Sequence, residues 1–531
     1  MQDLPRKPLG AQLSHMLRDR GVEVIFGIPG VHNQEMYRGI EEAGVTHVLA
    51  RHEQGAGFMA DGYARATGQP GVAYVITGPG LCNIMTPMGQ AYSDSVPMLV
   101  ISSCLDEVAA RRGQLHQMRD QVGAAATVCD WSEEARNAQA AYALVERAFD
   151  EFETARPRPK HITVPIAALE AEATAAPFPN QPALRLRSGA PDIAPVLSML
   201  NLARRPLFIL GGGARSNLWR QIVAQTGAAV FTTYAGRGLV GANYALDFGA
   251  TLARPGSAEV IASADLVIAV GTELAEVDLW RDKLGHQAPL IRVDLDPEVL
   301  ADEHRALIKL QAEAESFARA LWEATEDATP ATGWDAAEVS AARRRWRAEV
   351  EAERPGILPV ADALRDALPK DTMIYSDMTQ FAYAAKEVWP MHYPHHWHHP
   401  TGFGTLGYAL PAGIGGAVAR QGQPTAVIIG DYGFHYTMAE LGVAVELGLP
   451  LPIILWDNGK LKEIEESMVG AQIAPNAVVA RNPDFCRLAE AFGARASRPA
   501  SLSEMQAAVT SALAADGPTL IHVTPEIVTG A

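Results

Sequence analysis

The most informative segment of the sequence for the fold is GDYGFHYTMAELGVAVELGLPLPIILWDNGKLKEIEESM, residues 430–468. The β-branched run Pro424–Ile429 precedes it and predicts a buried parallel strand, and Pro452–Trp456 predicts a second one. We expect Gly430–Gly433 to turn the chain, and Thr437 with Glu440 to form a capping box that starts an intervening helix. The stretch therefore predicts a βαβ unit.

Two polar side chains follow the predicted strands at their carboxyl ends, where ligands of doubly wound sheets bind. Asp431 follows the first strand and Asn458 the second, and both offer hard oxygen atoms. Such oxygens suit Mg²⁺ or Ca²⁺, and Mg²⁺ usually shares its coordination sphere with phosphates. The residues favour a magnesium–diphosphate site, with ordinary turn residues in an unliganded βαβ unit as the alternative.

Composition predicts a soluble, cytoplasmic, globular protein of several domains. The 531 residues exceed what one core usually supports, and 48% of them are hydrophobic. The net charge of −17 argues against nonspecific binding to nucleic acid or anionic membranes. The four cysteines lack Cys-x-x-Cys spacing, which argues against disulfides and zinc. We find neither an apolar signal core nor a run long enough to span a membrane.

Alternating strand and helix patterns divide the chain into three α/β units. Their predicted bounds are 1–175, 184–330 and 356–531. Such alternation predicts parallel sheets covered by helices. We expect the Ala/Glu/Pro-rich run Leu169–Pro182 to be a linker. Residues 334–354 carry an arginine run between glutamates and predict a helical connector with a solvated charged face.

Two further patterns have both a structural and a functional interpretation. Gly211–Gly213 follows a predicted strand, but GGGARSN is not a G-x-G-x-x-G motif, so tight turns explain the glycines as well as a bound nucleotide does. The run MHYPHHWHHP, residues 391–400, is rich in histidine. Its prolines and irregular spacing argue against zinc, and Mg²⁺ does not choose imidazole. We expect this run to line an active-site entrance.

Glu53 is the candidate acid–base residue of the first unit. It lies in RHEQGA, residues 51–56, where a predicted strand, Val45–Leu49, passes into a predicted helix, His52–Thr67. The helix dipole favours a carboxylate at this position, which is a sufficient structural reason for it. Small residues beyond Glu53 let another surface approach closely, so the pattern permits a catalytic role without requiring one.

Ordered motifs at both ends of the chain resemble those of thiamine diphosphate (ThDP) enzymes of the acetolactate synthase branch. They are FGIPG (26–30), RHEQGAGFMADGYARATGQPGV (51–72), TGPGLCN (77–83), GFGTLGYALPAGIGGA (402–417) and the GDG…NN pattern, here GDY (430–432) and DN (457–458). Tyr432 and Asp457 depart from that last pattern, while both metal-ligand positions are kept. The resemblance covers essentially the whole chain and implies three doubly wound parallel-sheet domains: pyrimidine, middle Rossmann-like and diphosphate.

The resemblance also implies roles for single residues. Glu53 would hydrogen-bond N1′ of the aminopyrimidine and take part in acid–base catalysis. Asp431, Asn458 and the Lys460 carbonyl would bind Mg²⁺, and Leu406 would hold the cofactor in its bent shape. Further cofactor contacts are expected from Thr379, Gln380, Gly404, Gly430, Tyr432, Gly433 and Leu461, and further groups of the catalytic pocket are His32, His116 and Gln117.

The helix after Asn458 is where the reactions of this branch diverge. Acetolactate synthases have an apolar residue at the position of Glu463 and a tryptophan at that of Ser467. FGIPGVHNQEMYRGI (26–40), GDYGF (430–434) and ILWDNGKL (454–461) are most similar to 2-ketoarginine decarboxylases. This resemblance implies that 5-guanidino-2-oxopentanoate is converted to 4-guanidinobutanal and CO₂. Glu463 would bind the guanidinium, with a solvated acidic helix face as the alternative.

Two other functions stay open on the sequence. One is carboligation, as in acetolactate synthase or a related carbon–carbon lyase. The other is a catalytically silent paralogue, against which the intact Glu53, Asp431 and Asn458 argue. Because the family pattern places the two ends of the cofactor on different subunits, we expect at least a homodimer and favour a homotetramer. The FAD bound by some relatives is left undecided.

Overall fold

Three six-stranded sheets follow one another along the chain. The structure is a computed structural model that describes residues 6–106, 113–177 and 191–528. All strand pairs within these three sheets are parallel, and a small antiparallel sheet accompanies the first. Apolar side chains pack on both faces of each large sheet. The predicted fold class, three doubly wound α/β units, is confirmed.

The first unit is built around a six-stranded parallel sheet. Its elements are β1 Lys7–Pro8, α1 Leu9–Asp19, β2 Val24–Gly27, α2 Gln34–Glu42, β3 Thr46–Leu49, α3 Glu53–Thr67, β4 Gly71–Val75, α4 Pro79–Ser93, β5 Met98–Cys104, α5 Gln121–Ala125, β6 Trp131–Glu134, α6 Ala138–Thr154, β7 Lys160–Pro165, α7 Ile166–Glu170 and β8 Glu172–Ala173. The strand order is β3-β2-β4-β5-β7-β6.

The middle unit has a sheet of the same size and a long helix after it. Its elements are α8 Ala194–Leu200, β9 Pro206–Leu210, α9 Trp219–Thr226, β10 Ala229–Thr232, β11 Asp247–Gly249, α10 Ser257–Ser263, β12 Leu266–Val270, α11 Glu276–Leu279, β13 Leu290–Asp294, α12 Pro297–Leu300, β14 Ile308–Gln311, α13 Ala314–Ala324 and α14 Ala336–Glu353. The strand order is β11-β10-β9-β12-β13-β14.

The third unit contains residues 430–468, the segment with which the sequence analysis begins. Its elements are α15 Ile357–Ala367, β15 Met373–Ser376, α16 Gln380–Val388, β16 Trp397–His398, α17 Ala409–Ala419, β17 Thr425–Gly430, α18 Asp431–Thr437, a 3₁₀ turn Met438–Glu440, α19 Leu441–Glu446, β18 Pro452–Trp456, α20 Lys462–Gly470, α21 Phe485–Ala491, β19 Arg495–Ser497, α22 Leu502–Leu513, β20 Thr519–Val523 and a 3₁₀ turn Pro525–Val528. The strand order is β16-β15-β17-β18-β20-β19.

The helix between β17 and β18 differs from the prediction. Residues 430–433 do not form a turn, because α18 begins directly at Asp431. The predicted capping box is also wrong. The Thr437 hydroxyl donates to the Gly407 carbonyl at 2.8 Å, and the Glu440 carboxylate accepts from the backbone N–H of His52 at 3.0 Å. Both side chains serve distant segments instead of their own helix.

The two predicted connectors have different outcomes. Leu169 is buried in α7, and β8 pairs with β1, so this part of the expected linker is wrong, while residues 178–182 lie outside the described part of the chain. The charged connector is confirmed as α14: Arg344 and Arg345 are exposed on it, whereas Trp346 is buried. None of the described helices combines the length and apolarity that crossing a bilayer requires.

Helices α3 and α17 join the first unit to the third by close backbone contact. A Cβ on Gly62 of α3 would lie 1.9 Å from the Ala412 carbonyl oxygen, and a Cβ on Gly415 of α17 would lie 1.9 Å from that of Met59. These pairs run in opposite directions along the chain, so the helices are antiparallel. Only glycine permits this approach.

Candidate active site

Glu53 lies at the first helical position of α3, as predicted. The His52 ring caps the helix by accepting from the Gln54 N–H at 3.1 Å. The Glu53 side chain is buried, and its Oε2 accepts from Asn83 Nδ2 at 2.8 Å. A Cβ on Gly80 would lie 3.3 Å from its Oε1. The carboxylate is therefore held at the carboxyl edge of the first sheet by α4.

Glu440 fixes the segment before Glu53. Its carboxylate accepts from the Arg51 N–H at 3.1 Å and from the His52 N–H at 3.0 Å. Burial raises the pKa of Glu440 to about 7, against the effect of these two hydrogen bonds. A Cβ on Gly55 would lie 2.1 Å from Glu440 Oε1, so glycine is required there. The third unit thus positions the candidate acid–base residue of the first.

His32 and His116 contact each other, which places the two predicted loops side by side. Their rings meet edge to face, with centroids 5.0 Å apart. Burial and the neighbouring His116 lower the pKa of His32. The Nδ1 atoms of both rings are buried without a hydrogen-bond partner among the described residues. A Cβ on Gly78 would meet the His116 carbonyl oxygen at 2.4 Å, so the Thr77–Gly80 turn connects this pair to the Glu53 neighbourhood.

Gln117 follows this pair and is half-buried. Its Oε1 accepts from the Gln114 N–H at 3.2 Å, so the side chain closes a local turn. Its predicted catalytic role stays a prediction.

Asp431 lies at the carboxyl edge of the third sheet, as predicted. It is buried, and its Oδ2 accepts from Asn482 Nδ2 at 2.7 Å. Among the described residues no cationic side chain pairs with it. Burial, with a contribution from Asp457, raises the pKa of Asp431. A buried carboxylate without a counter-ion is unfavourable, which suits a site that receives a cation.

Asp457, which departs from the GDG…NN pattern, is part of a hydrogen-bonded network. Its Oδ1 accepts from Asn482 Nδ2 at 2.8 Å, and its Oδ2 lies 2.8 Å from His522 Nε2. Burial opposes ionisation, but these hydrogen bonds outweigh it and lower the pKa of Asp457. The extra carboxylate is thus accommodated by Asn482 and His522.

The remaining predicted cofactor residues line the same edge. Asn458 Oδ1 accepts weakly from the Lys460 N–H at 3.3 Å, and Lys460 forms an isolated antiparallel bridge with Val479. The Thr379 hydroxyl makes no capping bond to α16 and would lie 3.1 Å from a Cβ on Gly430. The other members of this group, also placed in the loops or helix starts at this edge, are Gly404, Leu406, Tyr432, Gly433 and Leu461.

Glu463 projects from α20 and already binds a guanidinium. One carboxylate oxygen pairs with Arg354, and the other accepts from Gln380 Nε2 at 2.7 Å. Gln380 also donates to Glu466 at 3.0 Å, so it contacts the acidic helix. No residue of α20 is buried within the chain.

The described residues form two separate clusters, one around Glu53 and one around Asp431. Tyr408, next to the loop that bears Leu406, donates to Asp61 Oδ1 at 2.8 Å. Asp61 is eight residues after Glu53 on α3, or about 12 Å along the helix axis. No hydrogen bond or ion pair of the described chain joins Glu53 to Asp431 or Asn458. We call the cluster around Glu53 and the cluster around Asp431 the two half-sites.

The glycines of the middle unit have a structural explanation. The Gly213 N–H donates to the Gly271 carbonyl at 3.0 Å, and a Cβ on Gly271 would lie 2.3 Å from the Ala214 nitrogen. The loops after β9 and β12 therefore pack directly against each other, which supports the tight-turn interpretation. A bound nucleotide is not needed to explain these glycines.

The histidine-rich run does not form the expected entrance loop throughout. His398 belongs to β16, and both His398 and His399 are buried. His399 Nδ1 lies 2.9 Å from the Ser376 hydroxyl. No cluster of three or more metal-ligating side chains occurs among the described residues.

Several site residues were missed by sequence reasoning. Asn83, Asn482 and Glu440 contact the candidate residues from elements far away in sequence. Asp377 holds the loop next to Leu406, since it accepts from the N–H groups of Gly407 and Ala409, each at 3.1 Å. Asn83 lies within the TGPGLCN motif, which offered a signal for it. The other three have no local signal.

Three domain families match the chain in the order of its sheets. The N-terminal TPP binding domain of thiamine pyrophosphate enzymes matches residues 8–124, the central domain residues 193–321 and the C-terminal TPP binding domain residues 377–523. The chain belongs to the thiamine pyrophosphate enzymes.

Curated relatives place the chain in the acetolactate synthase-like branch. It is 41% identical to the probable 2-ketoarginine decarboxylase AruI of Pseudomonas aeruginosa, over 98% of this chain and 94% of the relative. It is 29% identical to the acetolactate synthase isozyme 2 large subunit of Escherichia coli, over 97% and 95%. It is 26% identical to the mitochondrial acetolactate synthase catalytic subunit of Saccharomyces cerevisiae, over 97% and 80%.

The two half-sites fit the cofactor of this family. Glu53 is a buried acid at one edge, and the unpaired histidine nitrogens beside it offer polar contacts. Asp431 and Asn458 supply hard oxygens at the other edge, where an added Cβ on Gly459 would have no atom within 4 Å. When bound, ThDP supplies a nucleophilic carbon and an electron sink for 2-oxo acid chemistry.

Proposed function

We propose that the protein is a ThDP- and Mg²⁺-dependent decarboxylase of 5-guanidino-2-oxopentanoate (2-ketoarginine), releasing 4-guanidinobutanal and CO₂. The observation that carries this proposal is the 41% identity to a probable 2-ketoarginine decarboxylase over nearly the whole chain. The identities to acetolactate synthases are 29% and below. Arginine catabolism would supply such a substrate.

In this proposal the two half-sites come from different subunits of a homodimer, or of a homotetramer built from dimers. Glu53 would hold the pyrimidine end and carry a proton there, with His32, His116 and Gln117 at the same edge. Asp431, Asn458 and the Lys460 carbonyl would hold Mg²⁺ and the diphosphate. The absence of a hydrogen bond or ion pair between the two clusters in the described part of the chain supports this arrangement.

Glu463 is the proposed anchor for the substrate guanidinium. In the described chain one carboxylate oxygen pairs with Arg354 and the other accepts from Gln380, so the substrate guanidinium would share or displace these contacts. The Glu463 side chain is about one-third exposed, so a ligand can approach it. Carboxylate–guanidinium pairs are strong and directional. A 2-oxo acid without a cationic side chain would lack this contact.

A panel of 2-oxo acids with ThDP and Mg²⁺ tests the reaction. We expect CO₂ release to be fastest with 2-ketoarginine, and the aldehyde to form in equal amount. Release from pyruvate with formation of acetolactate would instead favour carboligation, the function named for the acetolactate synthase relatives. Absence of CO₂ from every acid would contradict decarboxylation altogether and favour a silent paralogue.

The substitution Glu463→Gln tests the anchor. We expect KM for 2-ketoarginine to rise about 10- to 100-fold, since a charged hydrogen bond contributes about 1.5–3 kcal/mol. The KM for 2-oxopentanoate, which has no guanidinium, should not change. Glu465→Gln is the matched control, because Glu465 lies on the same helix but pairs with Lys460 and Lys462. An unchanged KM for 2-ketoarginine in Glu463→Gln would remove this role.

A further inference from the structure

The guanidinium of Arg237 is enclosed in the protein without a counter-ion. Arg237 follows β10 and is 6% exposed. Its Nε donates to the Tyr234 carbonyl at 3.0 Å. Its two terminal nitrogens, Nη1 and Nη2, are buried and have no hydrogen-bond partner among the described residues. No described carboxylate forms an ion pair with it.

The burial of the Arg237 guanidinium without acceptors for its terminal N–H groups is energetically unfavourable. Burial lowers the pKa of Arg237 to about 9, so the group stays charged at neutral pH. A buried charge that lacks hydrogen bonds is strongly unfavourable. The Trp397 ring, 4.5 Å from the guanidinium carbon, stabilises the cation through its π face. That contact leaves the N–H groups at the edge of the guanidinium unsatisfied.

Two further groups of the third unit add positive charge or a free nitrogen to the same region. The Lys386 ammonium lies 3.9 Å from the centre of the Tyr234 ring. His399 Nε2 is buried without a partner. Burial and the charges of Lys386 and Arg237 lower the pKa of His399. The three side chains are therefore close enough to interact electrostatically, although they come from different units of the chain.

The nearby carboxylates form hydrogen bonds or ion pairs with groups other than Arg237. Glu387 pairs with Arg254, and Arg254 also binds Glu353 at 2.7 Å. Asp278 accepts from the Tyr234 N–H at 3.3 Å. Neither Glu387 nor Asp278 hydrogen-bonds Arg237. The described residues thus supply no acceptor for Nη1 and Nη2.

Only a small group can complete this site. The two terminal nitrogens are already closed off within one chain, so a second protein chain cannot reach them. Water is small enough but carries no charge to offset the Arg237 guanidinium, whereas Glu387 and Asp278 already offset part of the Lys386 charge. A monovalent anion both accepts hydrogen bonds and neutralises charge, which makes it the better occupant in a medium of low polarity.

We propose that Arg237, Lys386 and His399 bind a small inorganic anion of the halide class between the middle unit and α16. The anion accepts from the free edge of the guanidinium. It thereby ties the loop after β10 to the helix that starts beside Thr379, at the edge of the third sheet. It stabilises the junction on which the second half-site is built and takes no part in the reaction.

Crystals grown in sodium bromide give the direct test. We expect an anomalous bromide peak within hydrogen-bond reach of the terminal nitrogens of Arg237. An isotropic water peak without anomalous signal at this position, or bromide found only on the surface, would overturn the proposal. This test uses the unaltered protein and does not depend on any variant folding.

Thermal melting at constant ionic strength gives an independent test. Replacing gluconate by chloride should raise the Tm of the unaltered protein by several degrees and leave that of Arg237→Met unchanged. Arg345→Met is the matched control, since Arg345 is exposed on α14 and should keep the chloride response. An equal response in Arg237→Met and the unaltered protein would contradict the proposal. Decarboxylase assays play no part in either test, so the two proposals fail separately.

Discussion

At the scale of single residues, Glu440 links the two units most directly. Replacing it by Gln removes a charged acceptor from the N–H groups of Arg51 and His52 and should displace Glu53. At a pH well above the Glu440 pKa of about 7, where the carboxylate is ionised, we expect ThDP to bind about 10- to 100-fold more weakly, because hydrogen bonds to charged groups contribute about 1.5–3 kcal/mol. Fluorescence titration with ThDP measures this change.

The control for Glu440→Gln is Glu446→Gln. Glu446 pairs with the Arg51 guanidinium on the surface, and its side chain is 61% exposed. Surface ion pairs contribute little, so ThDP affinity should be nearly unchanged in this variant. Equal affinities in Glu440→Gln and the unaltered protein would show that Glu440 does not position Glu53.

His161 makes a second prediction at this scale, on pH dependence. It is fully buried between the hydroxyls of Ser102 and Ser132, at 2.8 and 2.7 Å, and burial lowers its pKa to about 3. The unfolded chain therefore binds a proton below about pH 6.5 that the folded chain does not, and stability falls as the pH falls. The loss between pH 6.5 and 5 should be about 2 kcal/mol.

Amide hydrogen exchange in β5 and β7 measures this loss locally. His161→Gln should lack the pH-dependent part of the opening free energy, whereas His15→Gln should keep it, since the His15 side chain is 31% exposed. The same pH dependence in His161→Gln as in the unaltered protein would assign the effect to other groups.

At the scale of elements, the packing of α3 on α17 should be intolerant of any added methyl group. Gly62→Ala would force a Cβ to within 1.9 Å of the Ala412 carbonyl, a backbone atom that cannot rotate away. Overpacking of this kind costs about 1–3 kcal/mol or more. We expect a lower Tm and weaker ThDP binding, both measured on the purified variant.

Gly470→Ala controls for helix propensity in this experiment. Gly470 ends α20 and has no atom within 4 Å of its added Cβ. Alanine favours the helix there, so the Tm should stay the same or rise slightly. If Gly62→Ala melts like the unaltered protein, the two helices are less closely packed than the structure shows.

The helices and strands show which structural features could be predicted from the sequence. Strand β18 begins and ends where the apolar run Pro452–Trp456 predicts, because a buried parallel strand leaves a local signal. The start of α18 was misplaced, since Thr437 and Glu440 fit a local cap but bond to Gly407 and His52. Long-range partners of this kind leave no trace in a single sequence. The placement of Glu53 and Asp431 succeeded because ordered family motifs surround them.

At the scale of the whole molecule, the proposed site is shared between two copies of the chain. The cluster around Glu53 and the cluster around Asp431 each lie at the carboxyl edge of a parallel sheet, where ligands bind. A second copy related by twofold symmetry would supply the missing half to each, because such an interface is reciprocal.

Mixed dimers test this arrangement. Glu53→Ala and Asp431→Ala should each abolish activity alone. A dimer that contains one subunit of each kind, isolated with two different affinity tags, has one site with both defects and one site with neither. Such a dimer should recover about half of the unaltered activity, since a twofold dimer has two equivalent sites. If both halves of a site came from one chain, every site would carry a defect and the mixed dimer would be inactive.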